Sequence, residues 1–237
     1  MKIIFSPLLL FLIFVSGACS SNTEAILLRG NALLEDKQYA QAIARLDSVI
    51  EQQPMWSSAY HMRAVAYFEQ QSYEQAVADF SRAIDLDSTT YKRYYYRANA
   101  YQELGEYQNA LDDYDTAIRK NRGFKDAYVN RGVVFYMLQE YQQAAQDFEY
   151  AYQLDSSDTE ILLNLTKSYI ALQAWGAALH NLELLSGMRA ENAEVFYLLG
   201  IAYLQRQQQE KGCMAWQKAA SLGYSQAGKA LEAYCSE

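Results

Sequence analysis

The chain has 237 residues and a formal net charge of −8, with 28 acidic and 20 basic side chains. A negative chain without a basic run argues against binding to nucleic acid or to an anionic membrane surface, because both attract clusters of Lys and Arg. The two histidines, His61 and His180, each stand alone in the sequence, so we expect no metal or catalytic site there.

Residues 1–18 have the pattern of a secretory signal peptide. Lys2 gives a positive start, residues 3–15 form an apolar run, and residues 16–18 are small. The apolar run is shorter than the roughly 20 residues that a membrane-spanning helix needs. We therefore expect this segment to be removed and to play no part in the fold.

Cys19 directly follows the predicted signal peptide. The stretch from Val15 to Cys19 resembles the lipobox of bacterial lipoproteins, in which the cysteine is diacylated and becomes the mature N-terminus. Ser16 stands where that motif usually has Leu, so ordinary cleavage after residue 18 is the alternative. The resemblance implies a lipid anchor on Cys19, a tether over residues 19–22 and firm membrane attachment. Lipoproteins that stay in the inner membrane have Asp directly after the lipidated cysteine, and this chain has Ser20 there. The resemblance therefore favours the outer membrane, with the protein facing the periplasm.

From residue 23 the sequence repeats with a period of 34 residues. Within each block, apolar residues at positions 4, 8 and 11 and at positions 17, 20, 24 and 27 form two sets, each on one face of a helix. A polar break separates the sets. The period predicts a solenoid of helical hairpins. The blocks are 23–56, 57–90, 91–124, 125–158, 159–192 and 193–226.

The residue types at these positions resemble the tetratricopeptide repeat. That pattern has a large residue at position 4, a small one at 8, an aromatic at 11, Ala at 20, an aromatic at 24 and Ala at 27. The resemblance implies an all-α, right-handed superhelical solenoid of six hairpins. Proline at position 32 appears only as Pro54, and the sixth block departs at Gln209 and Gly212. In the second block the matching residues are Tyr60, Ala64, Tyr67, Ala76, Phe80 and Ala83.

Arginine occupies position 7 in the first four blocks, and aspartate occupies position 23 in the second to fourth. Blocks five and six lose both residues. This joint presence and absence predicts a pair within each repeat, such as Arg63 with Asp79. The alternative is two independent solvated charges.

We predict that residues 227–237, after the sixth block, form a capping helix and a tail. Lipidation of Cys19 would leave Cys213 and Cys235 as an even pair in an oxidising compartment. The capping helix should run antiparallel to the helix that carries Cys213, about a turn at residues 223–224. That turn lies midway between the two cysteines, so we predict a disulfide; two buried thiols are the alternative.

The first helix of each hairpin lines the groove in tetratricopeptide proteins, mainly through positions 2, 5, 6, 9, 12 and 13. A side-chain amide at such a position can donate to and accept from an extended backbone, and a tyrosine offers apolar area with a polar tip. The resemblance therefore implies a groove that binds partners, and a merely solvated groove is the alternative. The candidate residues are His61, Met62, Lys92, Tyr95, Tyr96, Asn99, Asn130, Val133, Tyr136, Asn164 and Lys167.

No catalytic or phosphate-binding motif occurs in the sequence. We therefore expect that the protein is not an enzyme and that it binds neither a metal nor a cofactor. Resemblance to lipoproteins with these repeats implies a membrane-anchored scaffold in the bacterial cell envelope. It would bind envelope proteins or peptides in the groove during assembly of an envelope complex. One alternative is a permanent structural subunit of a secretion, pilus or outer-membrane assembly machine. Another, motivated by the aromatic content, is a binder of glycans or small molecules.

We predict that Cys19→Ser releases the protein from the membrane, because the substitution removes the atom that would carry the lipid. Cell fractionation and the mass of the N-terminal peptide measure the change. A variant that stays in the membrane pellet, together with a wild-type peptide that lacks lipid mass, would contradict the lipoprotein interpretation.

Overall fold

The computed structural model describes residue 26, residues 28–188 and residues 191–235. The predicted signal peptide, Cys19 and the tether lie outside the described residues. Every regular element in the described part is helical, which confirms the predicted all-α class. None of the helices described is long and apolar enough to cross a membrane.

Two helices fall within each of the 34-residue blocks. One further helix begins at Ser225, two residues before the predicted start of the capping helix at 227. The helices are α1 (28–35), α2 (Tyr39–Gln52), α3 (Ser57–Glu69), α4 (Tyr73–Leu86), α5 (Tyr91–Glu103), α6 (Tyr107–Lys120), α7 (Lys125–Met137), α8 (Tyr141–Leu154), α9 (Thr159–Ala171), α10 (Trp175–Met188), α11 (Ala193–Gln205), α12 (Gln209–Ser221) and α13 (Ser225–Tyr234).

The helices group into two compact units, divided between Glu106 and Tyr107. In the first unit, α2 packs against α3, α3 against α4 and α4 against α5, and α3 also contacts α5. In the second unit, α6 to α13 pack in the same sequential way, and α7 also contacts α9. The first helices of the fourth and fifth repeats, α7 and α9, are thus neighbours, as the groove geometry requires.

Small residues allow the two helices of a hairpin to approach closely. A Cβ atom on Gly132 would lie 3.0 Å from the ring of Phe148, which occupies the space beside the glycine. At Gly200 a Cβ atom would lie 2.3 Å from the indole nitrogen of Trp216. At Gly132 and Gly200 the missing side chain thus leaves room for the aromatic residue at position 24, and a side chain there would require Phe148 or Trp216 to shift.

The turn inside each hairpin places the residue at position 15 in the left-handed region. In the fourth repeat this residue is Gln139, with φ 63°, and its N–H donates to the Tyr136 carbonyl at 3.0 Å. The next N–H, of Glu140, donates to the Phe135 carbonyl at 2.8 Å, which closes the end of α7. The third repeat has a glycine there, Gly105, and the other repeats have Lys or Gln.

A disulfide joins Cys213 on α12 to Cys235 at the end of α13, with 5.8 Å between the Cα atoms. The helix α13 buries Ala227 against Trp216 and Ala219 of α12. A cross-link between residues 22 apart stabilises the folded state by about 3 kcal/mol through loop closure in the unfolded chain. The bond therefore strengthens the repeat that departs furthest from the family pattern.

We predict that Gln139→Gly raises the free energy of unfolding by about 1 kcal/mol, because glycine adopts the left-handed conformation without a steric cost. Gln146→Gly, at an exposed position inside α8, is the matched control. It should lower the same quantity by about 1 kcal/mol. Urea unfolding measures both variants, and equal destabilisation by the two would contradict the account of the turn.

Candidate functional site

A partly buried guanidinium links successive repeats in the first unit. The Nε and Nη2 atoms of Arg63 donate to Asp79 at 2.7 and 2.8 Å, which confirms the predicted pair. The Nη1 atom donates to Asp47 in the preceding repeat at 2.6 Å. The hydrogen bonds to Asp79 and Asp47 outweigh burial and raise the pKa of Arg63. One cation thus joins α2, α3 and α4.

The same arrangement recurs in the second unit. Arg131 donates to Asp147 at 2.8 and 2.6 Å and to Asp115 in the preceding repeat. These second partners lie at position 25 of the preceding block and were not predicted from the sequence. In the first unit, Ser81 has this position and accepts a hydrogen bond from Arg97 at 2.9 Å.

Repeats five and six keep the inter-repeat link with different chemistry. They have Leu165 and Leu199 in place of the arginine, and the residue at position 25 of the preceding repeat is a glutamate. Each glutamate accepts a hydrogen bond from a tyrosine at position 11, as in the 2.9 Å bond from Tyr203 to Glu183. Tyr169 donates to Glu149 in the same way, and burial and this carboxylate raise the pKa of Tyr169 to about 12.

In the first unit, the candidate groove residues form an aromatic cluster on α3 and α5. Tyr96 stacks on Phe80 with ring centroids 6.1 Å apart, and His61 lies 5.5 Å from both rings. Tyr95 contacts Tyr96 edge to face at 5.4 Å. Tyr96 and His61 are thus half-buried by their own neighbours, and they serve packing as well as the surface.

His61 is held in its neutral form. Burial, followed by the charges of Arg93 and Lys92, lowers the pKa of His61 to about 4. Its Nδ1 atom is buried and has no hydrogen-bond partner among the described residues. Lys92 is exposed and Asn99 is half-buried, so α5 presents a polar edge beside the aromatic cluster.

In the second unit, the candidate residues of α7 and α9 line one cavity of about 220 Å³. Phe148 of α8 forms its floor. Met137 also lines the cavity. It lies at position 13 of its block, one of the positions from which the candidate groove residues were chosen, but it was not among those candidates. The cavity combines apolar walls with one amide and one ammonium group. The predicted residues that line it are Val133, Tyr136, Asn164 and Lys167.

The polar groups of the cavity differ in their internal contacts. The side-chain amide of Asn164 forms no hydrogen bond within the described residues, so both its donor and its acceptor are available. Lys167 pairs with Glu194 at 2.8 Å, and both side chains are about one-third exposed. Asn130 is half-buried on α7 and does not line the cavity. The cavity can therefore hold an apolar group while it bonds to an adjacent amide or carbonyl.

Met62 is a correction to the predicted groove. It is only 5% exposed and belongs to the core between the first two hairpins. Its Cε atom lies 2.3 Å from where a Cβ atom on Gly30 would be, so the missing side chain of that glycine leaves room for Met62. Position 6 thus turns inward here, and Met62 cannot contact a partner.

Residues 27–89 and 95–159, more than half of the chain, match the family model for the tetratricopeptide repeat (TPR). The chain belongs to the TPR family. Comparison with curated proteins finds no match. The TPR fold is typical of proteins that act as scaffolds for protein–protein interactions. Among the described residues, no group of three or more His, Cys, Asp or Glu side chains could hold a metal ion.

Solved structures of TPR proteins resemble this chain over most of its length. YrrB, a TPR protein with an unusual peptide-binding site, has 23% identity and a TM-score of 0.72, covering 79% of this chain and 97% of its own. The protein pilF of Pseudomonas aeruginosa has 17% identity and a TM-score of 0.71, covering 89% and 96%. The C-terminal part of a TPR protein from Cytophaga hutchinsonii has 17% identity and a TM-score of 0.75, covering 83% and 78%. At these identities the likeness shows the fold alone.

We predict that the free energy of unfolding falls by about 3 kcal/mol as the pH falls from 6.5 to about 4, because the unfolded chain binds a proton at His61 more tightly than the folded protein. This stability is fully present above pH 6.5. His61→Phe, which keeps a ring beside Phe80 and Tyr96, should remove the dependence in this window. Urea unfolding across the window measures it, and an unchanged slope in the variant would contradict the assignment.

Proposed function

We propose that this TPR protein is a membrane-anchored scaffold of the bacterial cell envelope that captures an extended segment of a partner protein. The cavity between α7 and α9 carries the proposal, because it brings predicted groove residues of two successive first helices to one place. The partner's side chain would enter between Val133 and Tyr136. Assembly of an envelope complex is the process that such a scaffold serves.

The size of the cavity favours a peptide over a free small molecule. Its volume of about 220 Å³ lies below the roughly 300–1,000 Å³ of typical small-molecule pockets. It has room for one large apolar side chain, while the rest of a bound segment would lie across the open groove. Tyr136, which is 37% exposed, offers the wide, partly polar surface that anchors protein interfaces.

The polar groups favour an extended backbone beside that side chain. The amide of Asn164 can donate to a carbonyl and accept from an N–H of the same segment. The pair of Lys167 and Glu194 adds one charge of each sign at the edge of the cavity. Peptide binding by YrrB, a protein of the same fold, adds support for this mode of recognition.

The anchor and the envelope location rest on the sequence near Cys19. Diacylation there would attach the protein firmly, because two or more acyl chains give stable membrane binding. Residues 20–22 would then separate the lipid from the first repeat, at roughly 3.5 Å for each extended residue. The first repeat would lie within about 15 Å of the membrane surface, so the partner would be captured close to the membrane.

We predict that a photoreactive phenylalanine analogue at position 136 gives a discrete cross-linked adduct in cells, because its ring would lie against the bound segment. Asn164→Ala in the same protein should reduce the adduct several-fold by removing the hydrogen bonds to the backbone of the partner. Immunoblotting of irradiated cells measures the adduct, and mass spectrometry then identifies the partner.

The same analogue at position 150 is the matched control. Tyr150 is 39% exposed, similar to Tyr136, but it lies on α8 and does not line the cavity. We expect no discrete adduct from position 150. Adducts from position 150 in the absence of adducts from position 136 would place the working surface on the second helices and sink the groove proposal.

A further inference from the structure

The sixth repeat has lost the charged pair that links other repeats but has kept the aromatic residues around it. Leu199 and Ala215 replace the arginine at position 7 and the aspartate at position 23. Phe196 and Tyr203 remain at positions 4 and 11, the two aromatic positions on the first helix. The surroundings of a guanidinium are thus present without the guanidinium.

The complete repeats, which keep the arginine at position 7, show what fills the space between the two aromatic rings. In the second repeat the guanidinium carbon of Arg63 lies 5.7 Å from the ring centroid of Tyr60 and 5.9 Å from that of Tyr67. In the fourth repeat Arg131 lies between Tyr128 and Phe135 at 5.6 and 5.8 Å. The arginine fills the space between the two rings, and a leucine is too short to do so.

The sixth repeat has an open cavity of about 250 Å³ at this place, between α11 and α12. Its walls are mainly apolar, and Met214, at 64% exposure, forms a flexible part of the edge. It is separate from the cavity between α7 and α9 and shares no lining residue with it. The lining residues are Phe196, Leu199, Tyr203, Lys211, Met214, Ala215 and Lys218.

Two lysines give this cavity a positive edge. The Nζ atom of Lys211 lies 5.5 Å from the Tyr203 ring centroid, and that of Lys218 lies 5.9 Å from the Phe196 ring centroid. Neither ammonium group pairs with a carboxylate in the part of the chain that the structure describes. Unpaired cations around an apolar cavity, on a protein of net charge −8, favour an occupant that brings its own carboxylates.

We propose that this cavity is a second docking site, for a segment of a partner protein that inserts one large apolar side chain and flanks it with Asp or Glu. The apolar side chain would take the space that arginine fills in complete repeats. The flanking carboxylates would meet Lys211 and Lys218. This site lets the scaffold hold a second segment independently of the groove between α7 and α9.

Short synthetic peptides test the proposal on the folded mature protein by fluorescence anisotropy. Each carries one Phe, Leu or Met flanked by Asp or Glu; matched sets carry Lys in place of the acids, or Ala in place of the apolar residue. We expect only the acidic peptides with the apolar residue to bind. Lys211→Gln with Lys218→Gln should weaken binding about tenfold, the effect of losing two exposed charge pairs.

Leu199→Arg with Ala215→Asp rebuilds the internal pair and fills the cavity, so it should abolish peptide binding at an unchanged helical content. Met214→Glu, at an exposed position that tolerates the change, should repel the same peptides and gives an independent variant. Tyr136→Ala with Asn164→Ala alters only the groove between α7 and α9 and should leave binding of these peptides intact. The peptide assay therefore tests the second site separately from the proposed groove.

Three outcomes would overturn the second site: no binding by any acidic peptide, equal binding by the Lys-flanked set, or full binding by the variant with the rebuilt pair. Binding of dodecanoate in the absence of peptide binding would also overturn it, since the cavity would then be a site for an anionic amphiphile.

Discussion

The stacking of repeats depends on a partly buried arginine at the junctions where Arg63 and Arg131 lie. Arg131 bonds to Asp147 in its own hairpin and to Asp115 in the hairpin before it, so it fixes three helices at once. Desolvation of buried ions offsets much of their attraction, so such a triad contributes less to net stability than its short distances indicate. Its main effect is on geometry, because another arrangement would leave the buried Asp147 carboxylate without its cation, at a cost of several kcal/mol. The register of the first helices, and hence the shape of the groove surface, follows from this constraint.

The later repeats show that the constraint can be met in another way. Leu165 replaces the arginine in the fifth repeat, and the hydroxyl of Tyr169 reaches back to Glu149 instead. A neutral donor then carries the link, and its acceptor, Glu149, is exposed to solvent. In the fifth repeat Asn181 occupies position 23, where the earlier repeats have aspartate. Its buried Nδ2 atom has no hydrogen-bond partner within the described chain, which lowers stability.

Much of the fold could be predicted from the sequence because each feature is local or repeats at a fixed period. The hairpins and the pair of Arg63 with Asp79 follow from spacing within one block. The second partners of the arginines could not be found this way, because the residue at position 25 varies among Asp, Ser and Glu and its donor changes too. The burial of Met62 depends on the absence of a side chain on Gly30, more than thirty residues away. The cavity between α7 and α9 is a property of two helices together, which no single block encodes.

The disulfide between Cys213 and Cys235 has a consequence for the dynamics of the second unit. Repeat stacks open by fraying of their outermost hairpins, since these have neighbours on one side only. The covalent bond holds α13 on α12, so the hairpin of α11 and α12 behaves as an interior repeat although its sequence is the least typical. Amide exchange in α12 would then be slow in the oxidised protein and fast after reduction. The cross-link thereby stabilises the repeat that carries the cavity beside Lys211 and Lys218, where the other repeats rely on their own packing.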